Sequence, residues 1–135
     1  MSAPDLEMSL PARAENVAVV RHAFGGFGDA FGVDDQTLSD IKLAVTEACT
    51  NVVVHAYPDR EGPIEVTATM ADDRLVVVVR DEGQGIVPRA DSPGLGLGLP
   101  LIATLAESLE LGTSADDKTE VRMTFLLDDA GEQAA

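Results

Sequence analysis

From Leu38 to Ala56 the apolar residues fall at Leu38, Ile41, Val45, Ala48, Cys49, Val52, Val53 and Ala56. That spacing follows the 3.6-residue period of an α-helix and marks one stripe of it as buried. A stripe this long needs a wide apolar surface to lie on, and a sheet is the simplest one. Asp34 or Asp35 is placed to cap the helix start, and Pro58 stops it, because the residue before a proline disfavours helical geometry.

The rest of the chain supplies the sheet. Leu6, Met8 and Leu10 alternate with Glu7 and Ser9, and Pro11 ends the run. Ile64, Val66, Ala68 and Met70 alternate with Glu65, Thr67 and Thr69. Ala71-Asp72-Asp73 makes a turn, and Leu75 to Val79 is a continuous apolar strand, so the pair reads as a hairpin. Val121, Met123, Phe125 and Leu127 alternate in a last strand, after a turn over Ser114 to Lys118. A shorter strand is expected near Leu109 to Thr113. Two further helices are expected. The first runs from Ala14 to Phe31 with Val17, Val20, Phe24, Phe27 and Phe31 on one face. Gly25, Gly26 and Gly28 each cost about 1 kcal/mol there relative to alanine, so its second half is expected to kink or break. The second runs from Pro100 to Leu109, with proline in its first turn.

The order β-α-α-β-β-loop-α-β-β predicts an α+β fold. It is a two-layer sandwich with helices on one face of a mainly antiparallel, mixed sheet. All 135 residues form one domain, with its core between residues 6 and 127 and a frayed tail over 128–135. No apolar run approaches the roughly 20 residues of a membrane span, and the first residues do not resemble a signal peptide. Cys49 is the sole cysteine, so an internal disulfide is excluded. A cytoplasmic location is expected. The net charge of −15 makes nucleic acid and anionic membrane poor partners and would steer a basic protein partner inward. It also serves solubility alone equally well.

Three segments carry chemistry-bearing residues. Glu47 and Asn51 are one helical turn apart, at the border of the buried stripe. A neutral amide oxygen there could hold Mg²⁺, and the carboxylate could act as a general base. Taken alone, the pair is more simply a solvated glutamate and a satisfied asparagine. Asp81 ends a buried strand and leads into Glu82-Gly83-Gln84-Gly85-Ile86. A carboxylate pinned there can accept a hydrogen bond from an exocyclic amine, and Gly83 and Gly85 let backbone approach a flat ring. An ordinary polar turn has the same letters. Gly94-Leu95-Gly96-Leu97-Gly98 precedes the last helix and leaves N–H groups open for phosphate, or acts as a plain hinge. No Lys-Ser or Lys-Thr follows, so it is not a Walker A loop. His22, His55 and Cys49 lack the spacing of a zinc site, and no serine has the partners of a catalytic triad.

In combination these segments resemble the GHKL superfamily of gyrase, heat-shock chaperone, histidine kinase and mismatch-repair ATPases, the Bergerat fold. Glu47-x-x-x-Asn51 is similar to its N box. Asp81-x-Gly83-x-Gly85-Ile86 is similar to the G1 box, and Gly94-Leu-Gly-Leu-Gly98 to the G2 box. Thr119 resembles the threonine of the final box, with Lys118 where a glycine often stands. The resemblance spans residues 6 to 127 and is closest to the small stand-alone anti-sigma-factor serine/threonine kinases.

It implies ATP and Mg²⁺ as cofactors. Asp81 is then bound to the adenine amine, Thr119 supports the adenine pocket, Asn51 holds Mg²⁺, and Glu47 is the general base. A glutamate at this position favours transfer to a hydroxyl or to water, since typical histidine kinases lack one. The implied partners are a sigma factor and a small antagonist protein phosphorylated on serine, with Arg21 on the first helix presented to them. A homodimer is compatible with this reading. The alternative is a non-catalytic ATP/ADP-binding module that acts through protein partners.

Overall fold

The computed structural model describes residues 3–83 and 98–127. Five strands form one sheet, in the order β1-β2-β3-β5-β4. They are β1 (Leu6–Pro11), β2 (Pro63–Ala71), β3 (Arg74–Asp81), β4 (Ser108–Thr113) and β5 (Thr119–Leu126). Helices α1 (Ala14–Phe31), α2 (Asp35–Asn51) and α3 (Gly98–Leu105) complete the fold. All four strand pairings are antiparallel, so the sheet is simpler than the mixed one expected.

The alternation of the strands decides which face is buried. Ile64, Val66 and Ala68 of β2, Leu75, Val77 and Val79 of β3, and Val121, Met123 and Phe125 of β5 all join one core. Ile41, Ala44, Val45, Ala48, Cys49 and Val52 of the α2 stripe meet them there. A Val, Leu, Ile or Phe side chain fully buried in this way contributes about 1.5–3 kcal/mol. The opposite face of the sheet mixes Val76 and Val78 with polar and charged residues. There Glu65, Arg80 and Glu120 face one another across three strands, and Arg80 pairs with Glu120. Lys118 joins this row through Glu65 at 2.9 Å.

Local chemistry explains the boundaries. Asp34 caps α2 by accepting the Thr37 N–H at 3.3 Å. Gly32 closes α1 in the left-handed region (φ 72°), where glycine avoids the steric penalty of a Cβ. Asp72 takes the strained position of the β2–β3 turn (φ 59°).

Two expectations fail here. Helix α1 runs unbroken through Gly25, Gly26 and Gly28. The burial of Val20, Phe24 and Phe27, about 1.5–3 kcal/mol each, outweighs about 1 kcal/mol per glycine. Gly28 also lets Leu38 pack closely, because a Cβ there would lie 2.5 Å from Leu38 Cδ1 and the leucine would have to move. Helix α3 ends at Leu105 rather than Leu109. The Ala106 N–H still bonds to Ile102, but the Glu107 N–H turns to the Thr124 carbonyl at 2.8 Å. The Glu107 carboxylate is forked onto Arg74. Edge-strand pairing therefore overrides a Leu105–Leu109 spacing that suits a helix equally well.

Candidate nucleotide site

Helix α2 does not end cleanly at Asn51. It continues as a π-helical turn over Val52–Ala56, a wider winding frequently found at functional sites. The turn carries the chain from the Glu47/Asn51 face to the end of β3. There the Ala56 carbonyl comes so close to Gly83 that a Cβ on Gly83 would lie 2.0 Å from it. Only glycine fits this approach. The turn thus ties the helix segment to the Asp81 segment.

At the helix end, Glu47 and Asn51 both face the start of α3. A Cβ added to Gly98 would sit 3.0 Å from Glu47 Oε2 and 3.1 Å from Asn51 Nδ2. Gly98 is itself buried. Asn51 is 8% exposed, and among the described residues its Nδ2 has no hydrogen-bond partner. An unpaired buried amide costs about 1–3 kcal/mol, so the group has a use other than packing. A half-turn of the amide presents its oxygen instead, a hard neutral donor suited to Mg²⁺. Glycine at position 98 keeps a side chain out of the space between the Asn51 amide and the Glu47 carboxylate. The donor set fits Mg²⁺ carried by a phosphate ligand. It does not make an all-protein metal cage: among the described residues, no group of three His, Cys, Asp or Glu side chains could hold a metal.

At the sheet end, Asp81 is 3% exposed. Burial raises its pKa above the ordinary carboxylate range, and the Gly83 N–H, bonded to Oδ1 at 3.0 Å, opposes that shift. Thr119 stands directly opposite Asp81 in the β3–β5 register. Sequence reasoning proposed both residues, and the register makes them neighbours. Cys49 is buried in the core beneath this helix, with its thiol pushed up to about 12, and is inert.

Arg21 is exposed on α1 and belongs to neither end of the site. Lys118 lies on the face of the sheet away from the core, bound to Glu65 with Glu82 at 3.6 Å and Asp116 at 3.9 Å. Gly85, Ile86, Gly94, Leu95, Gly96 and Leu97 lie outside the described residues. Sequence reasoning missed Tyr57, which stands between the π-turn and Pro58 and whose hydroxyl binds the Glu82 N–H at 2.7 Å. The one available signal was its place: the chain's single tyrosine, directly after the helix that carries Glu47 and Asn51.

A carboxylate and an amide on one helix, a glycine-lined helix start and a buried aspartate at a strand end define an α+β nucleotide-binding domain. The chain belongs to the histidine kinase-like ATPase domain family, whose profile matches residues 10–125. It is 38% identical to the serine-protein kinase RsbW of Halalkalibacterium halodurans, across 78% of this chain and 74% of that protein. It is 34% identical to the serine-protein kinase RsbW of Bacillus mycoides, across 78% of this chain and 76% of that protein. Among solved structures it is similar to the RsbU and RsbW domains of Rv1364c from Mycobacterium tuberculosis. That match has a TM-score of 0.74 and 26% identity, and covers 93% of this chain and 32% of that longer one.

Proposed function

We propose that this chain is an ATP-dependent protein serine kinase of the anti-sigma-factor type. The observation that carries the reading is the convergence of Glu47 Oε2 and the unpaired Asn51 amide on Gly98. The likeness to serine-protein kinases RsbW supports the choice of a protein hydroxyl as acceptor.

The chain's own residues divide the work. Asp81 accepts a hydrogen bond from the exocyclic amine of adenine, and Thr119 supports the same pocket from the facing strand. The backbone leading to Gly98 holds the phosphates, and Asn51 holds the cation that accompanies them. Mg²⁺, when bound, neutralises charge on the phosphate oxygens. Glu47 accepts the proton of the partner's serine hydroxyl as that oxygen bonds to the γ-phosphorus. The bond from that phosphorus to the β,γ-bridging oxygen breaks, and ADP leaves with the electron pair.

The protein partners follow from the same reading. One is a sigma factor that this chain sequesters, and another is a small antagonist that it phosphorylates on serine. Arg21, exposed on α1, is a contact for them. A new phosphoserine adds close to two negative charges and is repelled by a chain of net charge −15, so phosphorylation releases the antagonist. These partners place the protein in the cytoplasm. Among the described residues, no helix is long and apolar enough to cross a membrane.

The test is phosphate transfer from radiolabelled ATP to an antagonist protein encoded beside this chain. Label on serine that depends on Mg²⁺ and Glu47 is the expected result. Nucleotide-dependent binding of the partner without any transfer would replace the kinase with a regulatory binding module.

A further inference from the structure

Beyond Asp81 the β3 ladder ends, and the backbone must be held by other means. Two side chains from the loop before β2 do so. The Tyr57 hydroxyl accepts the Glu82 N–H at 2.7 Å and donates to the Pro63 carbonyl at 2.6 Å. The Arg60 guanidinium donates to the Glu82 carbonyl at 2.9 Å and lies 5.1 Å from the centre of the Tyr57 ring. The peptide groups on both sides of Glu82 are therefore gripped by one aromatic–cation pair. Glu82 stands between Asp81 and Gly83, and the Gly83 N–H is the donor that orients the Asp81 carboxylate. The ring is seated as firmly as its hydroxyl. A Cβ on Gly62 would lie 2.1 Å from Tyr57 Cε1, so glycine is what lets the ring pack there.

We infer that Tyr57 is a positioning residue for nucleotide selection: its hydroxyl fixes the Asp81–Glu82 peptide, from which the next peptide presents its Gly83 N–H to the Asp81 carboxylate and so aims that carboxylate at the base. The inference rests on the proposed role of Asp81. It explains why the chain's single tyrosine follows directly on the π-turn. That turn sets Ala56 against Gly83, and the next residue then reaches the peptide beside it. One short segment thereby connects the helix that carries Glu47 and Asn51 to the group that reads the base.

Tyr57→Phe keeps the ring on Gly62 and beneath Arg60 and removes only the hydroxyl. The probes are ATP and inosine triphosphate, which carries a carbonyl where adenine has its amine. The variant is expected to bind ATP about three- to tenfold more weakly, the usual effect of losing one neutral hydrogen bond. Inosine triphosphate binding should not change, so the preference for ATP narrows. In the transfer assay KM for ATP should rise while kcat is kept. In an Asp81→Asn background the same substitution should have no further effect on ATP.

Equal weakening of both nucleotides, or effects that add in the double variant, would make Tyr57 merely structural and overturn the inference. Arg60→Gln, at an exposed position, releases the next peptide, which carries the Gly83 N–H, and it should narrow the preference in the same direction. No narrowing in either variant also overturns it. If Asp81→Asn alone leaves ATP affinity unchanged in a folded protein, the nucleotide role of Asp81 is lost and this inference goes with it. If Asp81→Asn weakens ATP but Tyr57→Phe does not, only the role of Tyr57 is lost.

Discussion

The two ends of the site are wired to opposite degrees. At the sheet end, Asp81 is held by the Gly83 N–H, and the Glu82 backbone between them is bound by Tyr57 and Arg60. At the helix end, the Asn51 amide nitrogen is buried without a partner among the described residues, and the space over Gly98 is kept open by the lack of a side chain. The difference follows from what each end must meet. A nucleobase edge is small and neutral, and a single fixed carboxylate can read it. A triphosphate with its cation brings its own charges and donors, so the protein must leave groups unfilled for it to complete. On the proposed reading, the first end is pre-formed and the second is finished by the ligand.

The sharpest way to break this comparison is at Glu47. As a general base it acts mainly in the transition state, so Glu47→Ala is expected to lower the rate of phosphate transfer by about 10²–10⁴-fold. Mg-ATP affinity should stay close to that of the parent. Single-turnover transfer and calorimetric titration on the same preparation measure both quantities. An affinity that fell as far as the rate would make Glu47 part of the binding surface, and the division between the ends would collapse.

Asp81→Asn tests the pre-formed end. Loss of a hydrogen bond to a charged group corresponds to about a ten- to hundredfold weaker grip on ATP. Stability should respond differently. The pKa of Asp81 is raised on folding, so the folded state holds this proton more tightly than the unfolded chain does. Its contribution to stability is complete below the unfolded carboxylate's pKa and is lost as pH rises through the raised folded value. Above that value the ion-free Asn variant should match or exceed the parent in thermal unfolding, and the difference should shrink as the pH falls. A variant that melts lower at every pH would mean that the carboxylate stabilises the fold and is not held for a ligand.

The two glycines sharpen the contrast further. On Gly83 a methyl group meets the Ala56 carbonyl, which is backbone and cannot step aside. Gly83→Ala is expected to cost about 1–3 kcal/mol of stability, in line with other overpacked sites. On Gly98 the methyl group meets the ends of Glu47 and Asn51 and, at 3.3 Å, the Glu47 Cβ, and alanine favours helix by about 1 kcal/mol. Gly98→Ala should therefore fold as well as the parent yet bind Mg-ATP more weakly. Chemical denaturation and titration of the pair separate the two costs. Equal losses of stability would mean that both ends are equally rigid.

Much of this could be read from the sequence where one period dominated. The α2 stripe, the β2–β3 hairpin and the final strand follow from spacing of 3.6 or 2, while spacing does not choose between Asp34 and Asp35 as the cap, and the structure shows Asp34. Glu47 and Asn51 share a face for the same reason, whereas Thr119 comes only from the family resemblance, and its place opposite Asp81 shows only in the folded register of β3 and β5. What spacing cannot supply is the competition between elements. Leu105 and Leu109 suit a helix, but pairing with β5 takes residues from Ser108 onward. Three glycines argue against α1, but Phe24 and Phe27 need its buried face. The π-turn and the Tyr57 grip were hidden more deeply. Both depend on distant backbone, Gly83 and Glu82, brought close only by the finished fold.

The smallest expected effect lies at Asn51 and concerns the protein without nucleotide. Truncating a buried, well-bonded polar side chain strands its partners, typically at about 1–3 kcal/mol. Among the described residues the Asn51 nitrogen has no partner to strand. Asn51→Ala removes a desolvated amide and leaves a small space at the rim of α2, two terms of opposite sign. The ion-free variant should thus unfold within about 1 kcal/mol of the parent, below the usual cost of such a truncation. The stabilisation that Mg-ATP gives the parent should shrink, because bound ligand raises stability with the logarithm of its concentration over Kd. Thermal unfolding with and without Mg-ATP reads both. A large loss in the ion-free protein would mean that Asn51 is satisfied by the fold, and that the two ends of the site are equally pre-formed.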